Sequence, residues 1–225
     1  MDQAPAHHHG RLGLKRFLKP GYRALFYGPP GTGKTLAATL LGKKNDMDVY
    51  RVDLSMIVSK YIGETEKNLA KVFDMAENRN WILFFDEADA LFGKRTSTNT
   101  SNDRHANQEV AYLLQRIEDF PGTVILATNL KSNIDEAFSR RFQSIIYFPM
   151  PDEELRAALW RSMLPKDWLG DDAEELIATA AQTELSGGSI ANVVRRCAVT
   201  LIKAQKQMLN PVLLCDSIHR EENGT

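Results

Sequence analysis

The stretch ALFYGPPGTGKTLAATLL at residues 24–41 constrains this chain more than any other. An apolar run breaks into Gly and Pro, and apolar residues then resume at helical spacing. Gly28, Gly31, Gly33, Lys34 and Thr35 fit the spacing G-x-x-x-x-G-K-[ST], which needs a strand before it and a helix after it. Ala24–Tyr27 is short and apolar, and Leu36–Leu41 holds no breaker. In such a loop, glycines let backbone N–H groups face an anion at the positive end of a helix. Pro29, Pro30 and Thr32 complete the loop, and Leu36 opens the apolar side of the helix. Lys34 is read as an exposed loop charge that reaches the outer phosphates, and the Thr35 hydroxyl as a ligand of Mg²⁺. An ordinary glycine-rich turn is the competing reading, and the complete spacing in this context disfavours it. Nucleotide binding by residues 28–36 is the first expectation.

A length of 225 residues suits one large domain, or a domain with a small companion. The apolar share of 43% is enough for a real core, and a net charge of −1 offers no global attraction to nucleic acid or anionic lipid. No apolar run approaches the roughly 20 residues that span a bilayer. The N-terminus lacks the order of a secretory signal. Cys197 and Cys215 lack metal-ligand spacing and read as reduced, partly buried thiols. The default is a cytoplasmic protein with no membrane insertion. His7, His8 and His9 sit in a Pro/Ala/Gly-rich start, so residues 1–20 read as a tag or linker remnant rather than a metal site.

Apolar runs alternate with helical stretches, which predicts an α/β domain with a parallel sheet. Five strands are expected: Ala24–Tyr27, Val49–Val52, Trp81–Phe85, Val124–Ala127 and Ser144–Phe148. Leu69, Val72, Phe73 and Ala76 recur at i, i+3, i+4 and i+7, as do Val110, Leu113, Leu114 and Ile117. Each set marks a helix with one buried face. After Pro149-Met150-Pro151 the strand pattern stops. Leu155–Leu164, Ala173–Ala181 and Ile190–Ala204 read as helices, so the expected division is 21–150 for the α/β domain and 151–225 for a helical lid. Residues 94–107 form the one long polar loop worth suspecting of function.

Trp81–Phe85 runs directly into Asp86-Glu87. Beside a phosphate loop, a strand-end carboxylate is where a nucleotide-bound Mg²⁺ finds a ligand, and Asp86 fits that role. Glu87 then orients and polarises the attacking water. An acidic pair can also be a solvated strand end; the phosphate loop upstream selects the catalytic reading. Asp86-Glu87-Ala88-Asp89 spells a helicase label, but the companion helicase motifs are missing, so the string carries little weight. Val124–Ala127 ends in Thr128-Asn129, where Asn129 either reaches the γ-phosphate and the water or merely forms a turn. Arg140 and Arg141, flanked by Phe138 and Phe142 with Ser139 between, are surface charge on one reading. On the other they are fingers that stabilise a transferring phosphoryl group, worth roughly 10³–10⁵ in rate when supplied in trans.

Phosphate loop, Asp-Glu strand end, strand-tip Asn, paired Arg and helical lid, in that order over about residues 22–220, resemble the AAA+ ATPases. The resemblance implies a phosphate-loop fold: a parallel five-stranded sheet with helices on both faces and a small all-helical lid. VSKYIGETEKNLAKVF (58–73) looks like the first pore loop of the AAA group in the narrow sense, and IDEAFSRRFQSIIYFPMP (134–151) like its second region of homology. The compact Arg140-Arg141-Phe142 is nearest to the ESCRT-III-disassembling and microtubule-severing branch. LSGGSIANVV (185–194) resembles the lid motif near the adenine, which adds Gly188 and Ser189 to the nucleotide contacts. Ala191 and Asn192 stand where clamp loaders carry an arginine, which argues against the DNA-handling relatives. WILFFDEADALFGKR and QEVAYLLQRIEDF look like bacterial AAA ATPases of contractile, phage-tail-like injection systems.

The resemblance implies ATP and Mg²⁺ as cofactors and a homo-oligomeric ring, commonly hexameric, with Arg140 and Arg141 acting on the neighbour's ATP. It implies a protein substrate gripped by Lys60, Tyr61 and Ile62 in the pore, with Arg104 and His105 as a weaker second tier. Tyr61 as a partly buried side chain is the competing structural reading. A nucleic-acid motor or loader, and more distantly a phosphate-loop kinase, are the alternative functions.

Overall fold

A computed structural model of the chain describes residues 21–92, 101–129 and 136–224, with side chains from 107 in the second segment and from 138 in the third. Readings on residues 1–20, including the His run, and on 93–100 lie outside the described residues, as do the side chains of Arg104 and His105.

Five strands form one sheet: β1 (Arg23–Tyr27), β2 (Asp48–Asp53), β3 (Trp81–Asp86), β4 (Thr123–Thr128) and β5 (Ser144–Tyr147). All pairings are parallel and the order is β2-β3-β4-β1-β5. Every strand lies within one residue of its expected bounds. The central strands β3 and β4 are buried almost throughout, as strands covered on both faces must be. Leu25, Leu83, Phe85, Val124 and Leu126 point to one face. There they share a core with Leu69, Val72, Phe73 and Ala76 of α3 (Glu64–Ala76) and with Val110, Leu113, Leu114 and Ile117 of α5 (Ser101–Asp119). On the other face α1 (Lys34–Asn45) buries Ala38 and Gly42. Gly42 lies so close to Val49 that a Cβ there would meet Val49 Cγ2 at 2.5 Å. Short helices α2 (Leu54–Ile57), α4 (Asp89–Phe92) and α6 (Glu136–Ser139) follow β2, β3 and β4. The connection from β1 leads out to edge strand β2, opposite in direction to those from β3 and β4, so the chain reverses direction at the carboxyl ends of the neighbouring strands β1 and β4. In open α/β sheets that is where ligands bind.

The helical part holds α7 (Glu153–Met163), a 3₁₀ turn at Lys166–Trp168, α8 (Ala173–Ala181), α9 (Gly187–Lys203) and α10 (Pro211–Glu222). Its core gathers Trp160, Leu164, Ile177, Ala180, Ile190, Val193, Cys197 and Leu214. Asp152, Ser186 and Asn210 cap α7, α9 and α10 by accepting the N–H of Leu155, Ser189 and Leu213. The α10 helix has no counterpart among the expected helices, although Asn210-Pro211 is a cap followed by proline at the first helical position.

Backbone contacts divide the chain into two compact units. Strand β1 with Lys34–Tyr147 makes one, and Gly28–Gly33 with Phe148 onward makes the other. Residues 28–33 thus cluster with the helical part, whereas the sequence reading assigns them to the α/β part.

Three further expectations are corrected. Lys34 is the first residue of α1 and only 7% exposed, because the helix starts on the lysine and the loop before it is short. Cys215 is exposed while Cys197 is buried, since α9 turns Cys197 inward with Ile190, Val193 and Leu201. The polar segment 94–107 is not all loop, for α5 begins at Ser101.

Candidate active site

In the α/β unit, β3 delivers Asp86 and Glu87 to the carboxyl edge of the sheet. Asp86 is 8% exposed and both its oxygens are engaged. Arg51 Nε and Nη2 donate to Oδ2 at 3.1 and 2.6 Å, and the Glu87 N–H donates to Oδ1 at 2.9 Å. Glu87 has a left-handed backbone, φ 56°, uncommon for a residue with a side chain and a form of strain that clusters at functional sites. Burial, and then the charges of Asp86, Asp89 and Asp53, push the Glu87 carboxyl above its ordinary range, with Arg51 opposing. A group tuned upward in this way is suited to handling a proton near neutral pH.

Asp89 opens α4 and links two strands. Its carboxylate accepts the Thr128 hydroxyl, and the Asn129 N–H at 3.0 Å, while Ala88 N–H donates to Ala127 O at 3.1 Å. The tip of β4, which carries Asn129, is therefore fastened to the end of β3, which carries Glu87. Lys34 faces the same cluster. Burial lowers its pKa, and the charges of Asp86, Asp89 and Glu87 oppose that shift. Thr35 is exposed beside it, and Leu36 is 63% exposed. Lys34 and Arg51 thus stand among three carboxylates, and among the described residues no cluster of three or more His, Cys, Asp or Glu side chains could hold a metal ion by itself.

In the helical unit, residues 28–33 pack on the start of α9. Gly188 N–H donates to Gly31 O at 2.8 Å, and Thr32 Oγ1 donates to Pro29 O at 2.7 Å. Gly31 has φ 74°, and a Cβ there would lie 2.4 Å from Ser186 Oγ, so no side chain fits. Gly33, at φ 103°, has open space where its Cβ would stand, which leaves its backbone accessible to a ligand. Glycines in the left-handed region with open space beside them are the cradle that a polyphosphate requires. Gly188 and Ser189 enter through their backbone: the first holds Gly31, and the second is capped by Ser186 at 3.1 Å.

Arg140 and Arg141 follow α6. Buried Phe138 and Phe142, with ring centroids 5.3 Å apart, anchor the turn. Arg140 is exposed, and Arg141 Nε meets Glu118 of α5 at 3.1 Å. The structure does not place these arginines in the carboxylate cluster. Lys60, Tyr61 and Ile62 lie between α2 and α3, with Tyr61 70% and Ile62 79% exposed, which excludes a buried Tyr61. That loop has a fixed base. Ser59 N–H donates to Thr65 Oγ1 at 3.0 Å, the Ser59 hydroxyl bonds Glu64, and Gly63 takes φ 76°.

Sequence reasoning missed Arg51 and Asp89. The register that sets Arg51 against Phe84 and Asp53 against Asp86 had no local mark, whereas Asp89 was visible as a third acid next to a polar strand tip.

Residues 24–150 match the family described as "ATPase family associated with various cellular activities (AAA)". The chain is 36% identical to Cell division protein C of Sulfolobus acidocaldarius, over 80% of this chain and 50% of that protein. It is 30% identical to the 26S proteasome regulatory subunit 7 homolog of Schizosaccharomyces pombe, over 95% of this chain and 51% of that protein. A proteasome-activating nucleotidase of Methanocella arvoryzae is 30% identical, over 86% and 48%. The chain spans about half the length of the curated relatives it matches. Among solved structures, the FIGL-1 AAA domain in complex with ADP shares the fold, with a TM-score of 0.66 at 22% identity, covering 88% of this chain and 71% of that one.

Proposed function

The chain belongs to the AAA family of ATPases, and we propose that it is the motor part of a ring that remodels or unfolds protein substrates, with ATP bound between adjacent subunits. ATP hydrolysis is the family's chemistry. In the proposed division of labour, the amides of residues 28–33 and the ammonium of Lys34 bind the phosphates. By the sequence resemblance, Leu36, Gly188 and Ser189 would contact the nucleotide. Thr35 and Asp86 hold Mg²⁺, which when bound neutralises charge on the phosphates. Glu87 orients the attacking water and takes up its proton, and Asn129, fixed by Asp89, aligns the same water. Arg140 and Arg141 serve the neighbouring subunit's ATP, as fingers supplied in trans. A head-to-tail interface of this kind closes into a ring, and six subunits is our expectation. We read 21–150 as the nucleotide-binding domain and 151–225 as the lid.

The observation that carries the remodelling reading is the exposed Tyr61-Ile62 pair on a pinned loop. The loop grows from β2 through α2, whose cap Asp53 pairs in register with Asp86. Movement at the nucleotide thus has a short covalent and hydrogen-bonded route to an aromatic grip. Names among the relatives support the same reading: one is a 26S proteasome regulatory subunit homolog and one a proteasome-activating nucleotidase. Among the described residues no helix is long and apolar enough to cross a membrane, consistent with work in the cytoplasm. A narrower place, in contractile injection systems, rests on the sequence runs at 81–95 and 108–120 alone.

The test is Tyr61→Ala. It should keep the fold and most basal hydrolysis, while polypeptide-stimulated hydrolysis and ATP-driven unfolding of that polypeptide disappear. Each gripping ring removed forfeits roughly 1–3 kcal/mol of burial, enough to let a chain slip. Normal unfolding by a folded Tyr61→Ala protein would rule out this loop as the grip.

A further inference from the structure

The Asp86 carboxylate already has a cation. Arg51 stands on β2 opposite Phe84 and reaches diagonally to Asp86, placing two N–H groups on the single oxygen Oδ2. The other oxygen is taken by the Glu87 N–H. Nothing in the phosphate-loop chemistry requires an arginine at this position, and the proposed function gives it no task. The two ends of the pair differ in freedom: the Arg51 side chain is 53% exposed and that of Asp86 12%. The guanidinium can swing into water at little cost, whereas the carboxylate is fixed by its strand and by Glu87.

We infer that Arg51 is a built-in counter-cation for Asp86 that competes with the divalent metal and sets how tightly the site takes it. This rests on the reading of Asp86 as the metal ligand. If the guanidinium leaves when metal arrives, its bond to Asp86 must be broken. If it stays, it repels a divalent ion nearby. Both routes weaken metal binding, and both leave nucleotide contacts on residues 28–34 untouched. A site so guarded takes metal together with nucleotide rather than alone, because phosphate oxygens must supply the charge that Asp86 shares with Arg51.

The probe is Mn²⁺, titrated into protein saturated with ADP at low ionic strength and followed by the paramagnetic resonance signal of the free ion. Arg51→Met keeps the length and apolar stem but removes the charge, and Arg51→Gln serves as a second variant should the first not fold. The expected result is Mn²⁺ affinity about five- to tenfold tighter than in the unaltered protein. That is the size of one charge acting on a divalent ion across roughly 7 Å of water-like dielectric. Asp86→Asn should weaken Mn²⁺ binding. If Asp86→Asn weakens Mn²⁺ but neither Arg51 variant tightens it, the competition is refuted and the role of Asp86 survives. If Asp86→Asn leaves Mn²⁺ affinity unchanged, the reading of Asp86 itself is wrong.

Discussion

Asp89 is where stability and chemistry can be separated by two substitutions. Its carboxylate receives the hydroxyl of Thr128, a residue 3% exposed, and the N–H of Asn129. Asp89→Ala removes the carboxylate that accepts from both groups. Hydrogen bonds to a charged group are worth roughly 1.5–3 kcal/mol each. Water entering the space left by the side chain recovers part of this, so a net loss of about 2–4 kcal/mol is expected in urea denaturation. Asp89→Asn keeps an oxygen that can accept both donors and loses only the charge, so its cost should stay near 1 kcal/mol or below.

The same pair reads out Glu87. Asp89 is one of the charges that push the Glu87 carboxyl upward, behind burial and Asp86. A carboxyl raised in the fold stabilises most when protonated. That contribution is complete below the unfolded Glu pKa and is lost as pH rises through the higher folded value. At neutral pH an ionised Glu87 is therefore a cost, which Asp89→Asn relieves in part. If Glu87 must be ionised to work, turnover falls on the acid side through its folded pKa, and Asp89→Asn should move that limb to lower pH. The assay is ATPase rate against pH under conditions where the protein assembles. A folded Asp89→Asn protein whose acid limb stays in place or moves upward would refute the assignment, as would Asp89→Ala with unchanged stability.

Two other outcomes are expected. Glu87→Gln should bind ATP in calorimetry with near-normal affinity, hydrolyse it at least a hundredfold more slowly, and gain stability at neutral pH. Normal turnover would mean that another group activates the water. Arg140→Ala and Arg141→Ala should each lose hydrolysis with little change in ATP affinity, Arg141→Ala also losing the Glu118 pair at a cost of about 1 kcal/mol or less. Mixed with Lys34→Ala, which should not bind ATP, Arg141→Ala should regain part of the activity at interfaces that join an intact pocket to an intact finger; absence of recovery in demonstrably mixed rings counts against trans fingers.

The parts legible in the sequence share one property: each is written by residues close together along the chain. The five strands announce themselves as apolar runs because the central ones are covered on both faces. The phosphate loop announces itself because Gly31 and Gly33 both take left-handed backbone angles that side chains rarely adopt, Gly31 being closely packed as well. The heptad-like stripes of α3 and α5 carry the face that the sheet demands. What escaped is lateral or conformational. Lys34 looked exposed because a loop lysine usually is, yet the helix begins on it and buries it near the carboxylates of Asp86, Glu87 and Asp89.

Arg51 and Asp89 show how far that limit reaches into the chemistry. Neither belongs to a motif, and each acts across the sheet on a residue that does. Strand order puts β3 between β2 and β4, so the end of β3 can be touched from both sides. From β2 comes Arg51, which holds Asp86; from the turn after β3, Asp89 reaches to β4 and holds the backbone of Asn129. The β2 side leads on through Asp53 and α2 to the Tyr61 loop. The end of β3 is thereby tied to β2 through Arg51 and to β4 through Asp89. Both depend on register, in which a slip of one residue would turn Arg51 to the opposite face and leave Asp86 without its cation.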